Sequence, residues 1–159
     1  MLTFLSTDQV VQEQSRQLQL YGLGSPGIIS RERLDSAVLA AQAGFGDSYF
    51  YDSAAAIASA YLVRLAKAHA FGNANKRTSL AAALIYLTIN NYVLTASPDE
   101  LIDLVLASAT GNGDTKPAQE FFESHIEVLP GSILELTFED ASALVHKRFG
   151  PVFTRLADL

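Results

Sequence analysis

Cysteine is absent from this chain of 159 residues, which excludes disulfides and thiolate metal sites and leaves oxygen or imidazole to ligate any metal. Apolar runs long enough to cross a bilayer are also absent, and residues 1–5 carry neither the basic flank nor the small-residue cleavage site of a signal peptide. The expectation is a cytoplasmic protein with no membrane partner. Positive charge is scarce: 11 Lys and Arg stand against 17 Asp and Glu, a formal net charge of -6. Such a surface repels nucleic acid as a whole and no concentrated basic patch offsets it, so nucleic acid is discounted as a direct partner. No internal repeat or low-complexity stretch divides the chain. Its length and its 49% hydrophobic content suit one core.

What is present is mostly helical in pattern, and an all-α bundle is expected. Ser6, Thr7 and Asp8 offer caps for a helix carrying Val10, Val11, Leu18 and Leu20, which breaks in the glycine-rich residues 21–27. Ser30 caps a second pattern with Leu34, Val38 and Ala41 on one side, ending at Gly44-Phe45-Gly46. Residues 54–68 and 79–89 are alanine-rich and apolar almost all round, as befits the central pair of a bundle. Ser97-Pro98-Asp99-Glu100 is a capping box with proline at the first helical position, opening a helix that stops at Gly111-Asn112-Gly113. Another amphipathic helix spans about 115–126. Beyond Pro130-Gly131, residues 133–138 alternate weakly like a short strand, and residues 139–148 look helical before Gly150-Pro151.

Between the two apolar helices lies an abrupt polar cluster: His69, Asn73, Asn75, Lys76 and Arg77. Gly72 and Ala74 are small enough to let the backbone approach a ligand, and the helix starting near Lys76 presents free N–H groups at its N-terminus. Lys76 and Arg77 in that first turn oppose the macrodipole and call for an anionic partner, which phosphate supplies. His69 is the nearby side chain whose ordinary pKa suits proton transfer near neutrality. An imidazole, amide N–H groups and two cations are the parts of a phosphoryl-transfer site. Taken singly each has a plainer explanation: a helix-end histidine, an asparagine turn, a solvated Lys-Arg pair. Their order between two buried-type helices favours a site. His125 and His146 show no comparable polar neighbourhood in sequence and are assigned structural roles.

The run from His69 through Phe71 and Asn73-Ala74-Asn75-Lys76-Arg77 to Thr78 resembles the Doc form of the Fic motif. The resemblance extends to residues 17–23, 30–43, 61–63 and 107–111, and divides the chain into a catalytic domain over 1–126 and a C-terminal extension over 127–159. It implies a compact Fic/Doc-type helical bundle with a short C-terminal appendage. It also implies the toxin of a toxin-antitoxin pair, a kinase that moves the γ-phosphate of ATP to a threonine of elongation factor Tu and so arrests translation. A Phd-like antitoxin would neutralise it.

Carried onto this sequence, the resemblance makes His69 the general base and Phe71 the anchor of the loop. Asn75, Lys76, Arg77, Gly72 and Ala74 would hold nucleotide phosphates, and Asn73 would face Mg²⁺, weakly or through water. Fic proteins that transfer a whole nucleotide carry glycines at the places of Ala74 and Lys76 and an arginine at that of Leu80, which favours the kinase over the adenylyltransferase. Asn73 stands where many relatives have aspartate, and Ala81 where Doc proteins can have asparagine. Those departures leave a catalytically degenerate binding module as the alternative of a different class. In the extension, Phe149, Val152, Phe153 and Leu156 resemble the apolar face of a Phd-like tail, interrupted by Gly150-Pro151. Packing on the bundle is the expectation preferred for it.

Overall fold

Short polar side chains decide where most of the helices begin. The computed structural model describes residues 2–22, 24–45, 48–129 and 134–159. Helix α1 (Thr7–Tyr21) opens with a capping box in which the Ser6 hydroxyl accepts from the Gln9 N–H and the Gln9 side chain accepts from the Ser6 N–H. Ser30 caps α2 (Arg31–Ala40), after which β1 (Gly44–Phe45) pairs antiparallel with β2 (Ser48–Tyr49). Ser53 caps α3 (Ala54–Ala68), and α4 (Asn75–Ile89) follows the polar loop. Strand β3 (Tyr92–Leu94) leads to α5 (Pro98–Thr110), opened by the expected capping box of Ser97 and Glu100. Then come α6 (Lys116–His125), β4 (Ile126–Val128), which pairs antiparallel with β3, and α7 (Phe138–Ala157), with a third capping box at Thr137 and Asp140.

Helices α3 and α4 form the central pair the alanine-rich segments call for. Residues 54–63 of α3 and 77–87 of α4 are all buried, and their small side chains let the two backbones pack closely. Around them, α2, α5 and α6 lie against α3, whereas α1 and α7 lie against α4. Both ends of the loop joining α3 to α4 thus rest on helices whose bodies are buried by the surrounding ones. The fold is all-helical as expected, apart from two short antiparallel ladders among the described residues. No described helix is long and apolar enough to cross a membrane.

Several local expectations are corrected. The strand anticipated over 133–138 does not form: residues 134–137 are irregular and Phe138 begins α7, while Ile133 lies outside the described residues together with Pro130 and Gly131. Alternation was a weak guide there because Thr137 and Asp140 make a helix start. Besides β1 and β2, strands occur at 92–94 and 126–128, where a turn after α4 and the end of α6 bring two extended segments side by side. Leu20 is exposed, since α1 has nearly ended and that face meets solvent. Gly150-Pro151 does not interrupt the last helix, because Pro151 stands on its exposed side, where the carbonyl left without an N–H partner can face water.

Phe149, Val152, Phe153 and Leu156 consequently form one continuous apolar face. All four are buried in the same core cluster as α3 and α4, so the extension packs onto the bundle.

Candidate functional site

The loop between α3 and α4 is built on two residues in left-handed backbone conformations. His69, the C-cap of α3, has φ 48° and ψ 43°, and Ala74, the N-cap of α4, has φ 64° and ψ 26°. Such conformations cost a non-glycine residue roughly 1–2 kcal/mol, so the surrounding contacts must hold them. Those contacts come from residues 27–30, just before α2. Ile28 and Phe71 form an isolated antiparallel bridge, the Ile29 and Ser30 N–H groups donate to the Ala70 carbonyl at 2.7 and 3.2 Å, and Gly72 N–H donates to the Gly27 carbonyl at 3.3 Å. Phe71 is only 3% exposed and belongs to the hydrophobic core.

Asn75 clasps the loop from within. Its Oδ1 accepts from the Phe71 N–H at 3.1 Å and its Nδ2 donates to the Phe71 carbonyl at 2.8 Å, so its side chain closes the turn. What α4 offers a ligand there is backbone: the N-cap Ala74 has no side chain able to cap, and the first N–H groups of a helix have no intrahelical acceptor. Asn73 is exposed and lies against the loop after α1. Its Nδ2 donates to the Ser25 carbonyl at 3.5 Å, and its own carbonyl accepts from Gln14 Nε2 at 3.3 Å. Gly24, at φ +120°, makes room for it, since a Cβ there would stand 2.3 Å from Asn73 Cγ.

The two cations are placed very differently. Lys76 is half-buried, with no hydrogen bond to its ammonium among the described residues. Arg77 is 4% exposed and spans to α1, its Nη1 donating to the Gln17 and Gly22 carbonyls at 3.3 and 3.1 Å. Burial pulls the guanidinium down from its usual value, with Tyr21 opposing. The expectation of a solvated Lys-Arg pair, drawn for the two residues alone, therefore fails for Arg77. It is inside because the end of α1 lies beside it and offers the Gln17 and Gly22 carbonyls as acceptors for the guanidinium.

His69, the run from Gly72 through Arg77, and residues of three other helices line one cavity of about 390 Å³. The His69 side chain is exposed and its ring has no hydrogen-bond partner among the described residues. The cavity therefore collects an unengaged imidazole, an ammonium and an uncapped helix N-terminus. Ala81 and Leu80 are fully buried in the core and do not line it. Gly72 is open on its Cβ side, which leaves backbone accessible there.

The other two histidines have more polar surroundings than their sequence neighbours announce. His125 Nδ1 meets the Phe121 carbonyl at 2.7 Å and its Nε2 meets Glu100 at 3.1 Å. The Ser97 N–H and hydroxyl first, and His125 next, hold the Glu100 carboxyl below its usual value. His146 lies in a seam between α7 and α1. Its Nε2 donates to the Glu13 carboxylate at 2.7 Å and its Nδ1 faces the Tyr21 hydroxyl at 2.7 Å. Glu13, 1% exposed, also accepts from Ser142 at 2.9 Å and Gln17 at 2.9 Å, and Arg16 donates to Ser142 at 2.7 Å. Burial and the Glu13 charge push the Tyr21 hydroxyl up. Sequence analysis did not reveal this network, because the partners of Glu13 on α7 are about 130 positions away and leave no local trace.

A model of the Fic/DOC family matches residues 4–87, over half the chain. The chain belongs to the Fic/DOC family. Protein kinase doc of Escherichia phage P1 is similar to it, 33% identical over 107 residues that cover 67% of this chain and 82% of that protein. The polar loop, with every residue singled out in it, lies inside the Fic/DOC match, whereas α5, α6 and α7 lie beyond it.

Proposed function

We propose that this Fic/DOC protein is a protein kinase that transfers the γ-phosphate of ATP to a threonine hydroxyl of elongation factor Tu, as the toxin of a toxin-antitoxin pair held in check by a Phd-like antitoxin. The observation that carries the reading is the unengaged His69 ring in one cavity with Lys76 and the uncapped N-terminus of α4. The phage relative's name, a protein kinase, supports the same activity.

The cavity's donors suit a triphosphate: N–H groups at the start of α4 and the Lys76 ammonium offset its charge, and Arg77 fixes the helix end from behind. Magnesium fits less well as a resident ion. Among the described residues no cluster of three His, Asp or Glu could hold a metal, and the Asn73 carboxamide is a neutral donor. Mg²⁺ would arrive with the nucleotide and rest on its phosphates, with Asn73 contacting it at most through oxygen or water.

In the transfer, the acceptor oxygen forms a bond to Pγ as the bond from Pγ to the bridging oxygen of the leaving ADP breaks. His69 Nε2 or Nδ1 takes the hydroxyl proton. Lys76 and the amide N–H groups carry the charge shed onto the β-phosphate.

The test is to incubate the purified chain with Mg²⁺, γ-labelled ATP and elongation factor Tu, beside His69→Ala. Label that requires His69 supports the kinase. Label only from α-labelled ATP replaces it with an adenylyltransferase, and silence from both leaves a Fic-fold binding module.

A further inference from the structure

The cavity has an apolar side that the polar loop does not provide. Besides the loop, its lining consists of Ala66 of α3, Ala109 of α5, and Leu156, Ala157 and Leu159 at the end of α7. None of these side chains carries a charge or a hydrogen-bonding group. All three C-terminal residues, like Ala109, lie beyond the residues that the family model matches.

The end of α7 is also firmly placed. Leu156 is 3% exposed in the core, Arg155 Nη1 donates to Asp99 Oδ1 at 2.7 Å, and farther back the His146–Glu13 seam ties the helix to α1. It does not fill the cavity, which at about 390 Å³ lies within the usual range for small-molecule sites. Leu159 is 64% exposed and Ala157 half-buried, so apolar surface remains available to a ligand.

Resting on the kinase reading above, the geometry points to a division of labour within the nucleotide site: the loop takes the phosphates, and the wall formed by Leu156, Ala157 and Leu159 takes the face of the nucleobase. Charge decides the orientation. A triphosphate cannot give up water to lie on leucine and alanine while an ammonium and free N–H groups stand across the cavity, whereas a flat, weakly hydrated ring gains by covering aliphatic carbon. Ala157 and Leu159 therefore supply the surface that contacts the nucleoside, with Leu156 supporting them from the core, while the loop acts on the phosphates.

The experiment measures equilibrium binding of ATP and of inorganic triphosphate, by calorimetry with Mg²⁺, to the intact chain and to Leu159→Ala and Ala157→Leu. Thermal melts check that both variants fold. Leu159→Ala removes contact area and Ala157→Leu adds bulk, and each should weaken ATP about fivefold while leaving triphosphate unchanged. Unchanged ATP affinity, equal weakening of both ligands, or tighter ATP binding would each overturn the assignment, the last by making the wall an obstruction. If the unaltered chain binds triphosphate and ATP equally well, the base has no wall although the phosphate site stands. If it binds neither, the nucleotide reading itself fails.

Discussion

Replacing Glu13 with alanine removes the acceptor at the centre of the seam between α1 and α7. The carboxylate is 1% exposed and accepts from His146 Nε2 at 2.7 Å, Ser142 Oγ at 2.9 Å and Gln17 Nε2 at 2.9 Å. Hydrogen bonds to a charged acceptor contribute about 1.5–3 kcal/mol each, but they do not add, because the folded chain also bears the cost of desolvating the charge. Removing one partner of a buried pair typically costs about 3–5 kcal/mol. The His146 ring keeps its contact with the Tyr21 hydroxyl after the change, which places the expected loss near the lower end, about 3 kcal/mol. With a urea slope of about 2 kcal/mol/M for a chain of this size, the midpoint should fall by about 1.5 M. A double-mutant cycle with His146→Ala should return a coupling of at least about 1 kcal/mol. A loss under about 1 kcal/mol for Glu13→Ala, or additivity within about 0.5 kcal/mol, would refute the view that this network fastens α7.

Other expectations follow from the loop and the core. Ala74→Gly should raise stability by roughly 0.5–1 kcal/mol in chemical denaturation, because glycine relieves φ 64° at the cost of unfolded-chain entropy; a destabilised variant would show that the left-handed turn is not what strains this position. Gly24→Ala should lose about 2 kcal/mol, since its Cβ would stand 2.3 Å from Asn73 Cγ at φ +120°, and an unchanged melting temperature would contradict that packing. Burial pushes the Tyr61 hydroxyl up to about 12 from an ordinary 10.0, against the lowering effect of the Leu5 N–H. The unfolded chain therefore releases this proton first, so stability is intact below about pH 10 and falls as pH rises towards about 12, by up to about 2–3 kcal/mol. Denaturant titrations at about pH 9 and about pH 11.5 read the difference, and Tyr61→Phe should flatten the slope; equal slopes with and without the hydroxyl would refute the assignment.

Much of the fold was legible in local chemistry. Ser6, Ser30 and Ser97 marked helix starts because a short side-chain oxygen reaches the next N–H groups without help from the rest of the molecule. The central helices were legible because a segment apolar on every side has only the interior to occupy. Residues 133–138 misled because weak alternation cannot by itself supply a strand with a partner, and pairing is a property of two segments. Pro151 misled for a related cause: whether a missing N–H breaks a helix depends on which side faces water.

The polar loop divides the same way. Its residue types, crowded between two apolar helices, were enough to raise the expectation of an anionic partner, since a lysine and an arginine at a helix start need compensation. Only the tertiary structure decided how they are used: Asn75 turns back on Phe71, Arg77 reaches carbonyls of α1, and Lys76 and His69 are left to the cavity. It likewise brought Glu13 to His146 across 133 positions of sequence and set the end of α7 beside the loop. Capping, burial pattern and charge at a helix end are local quantities that a sequence carries in neighbouring letters. The partner of a buried carboxylate or the wall of a cavity is supplied by whichever distant segment packs there, and packing is settled by the whole chain at once.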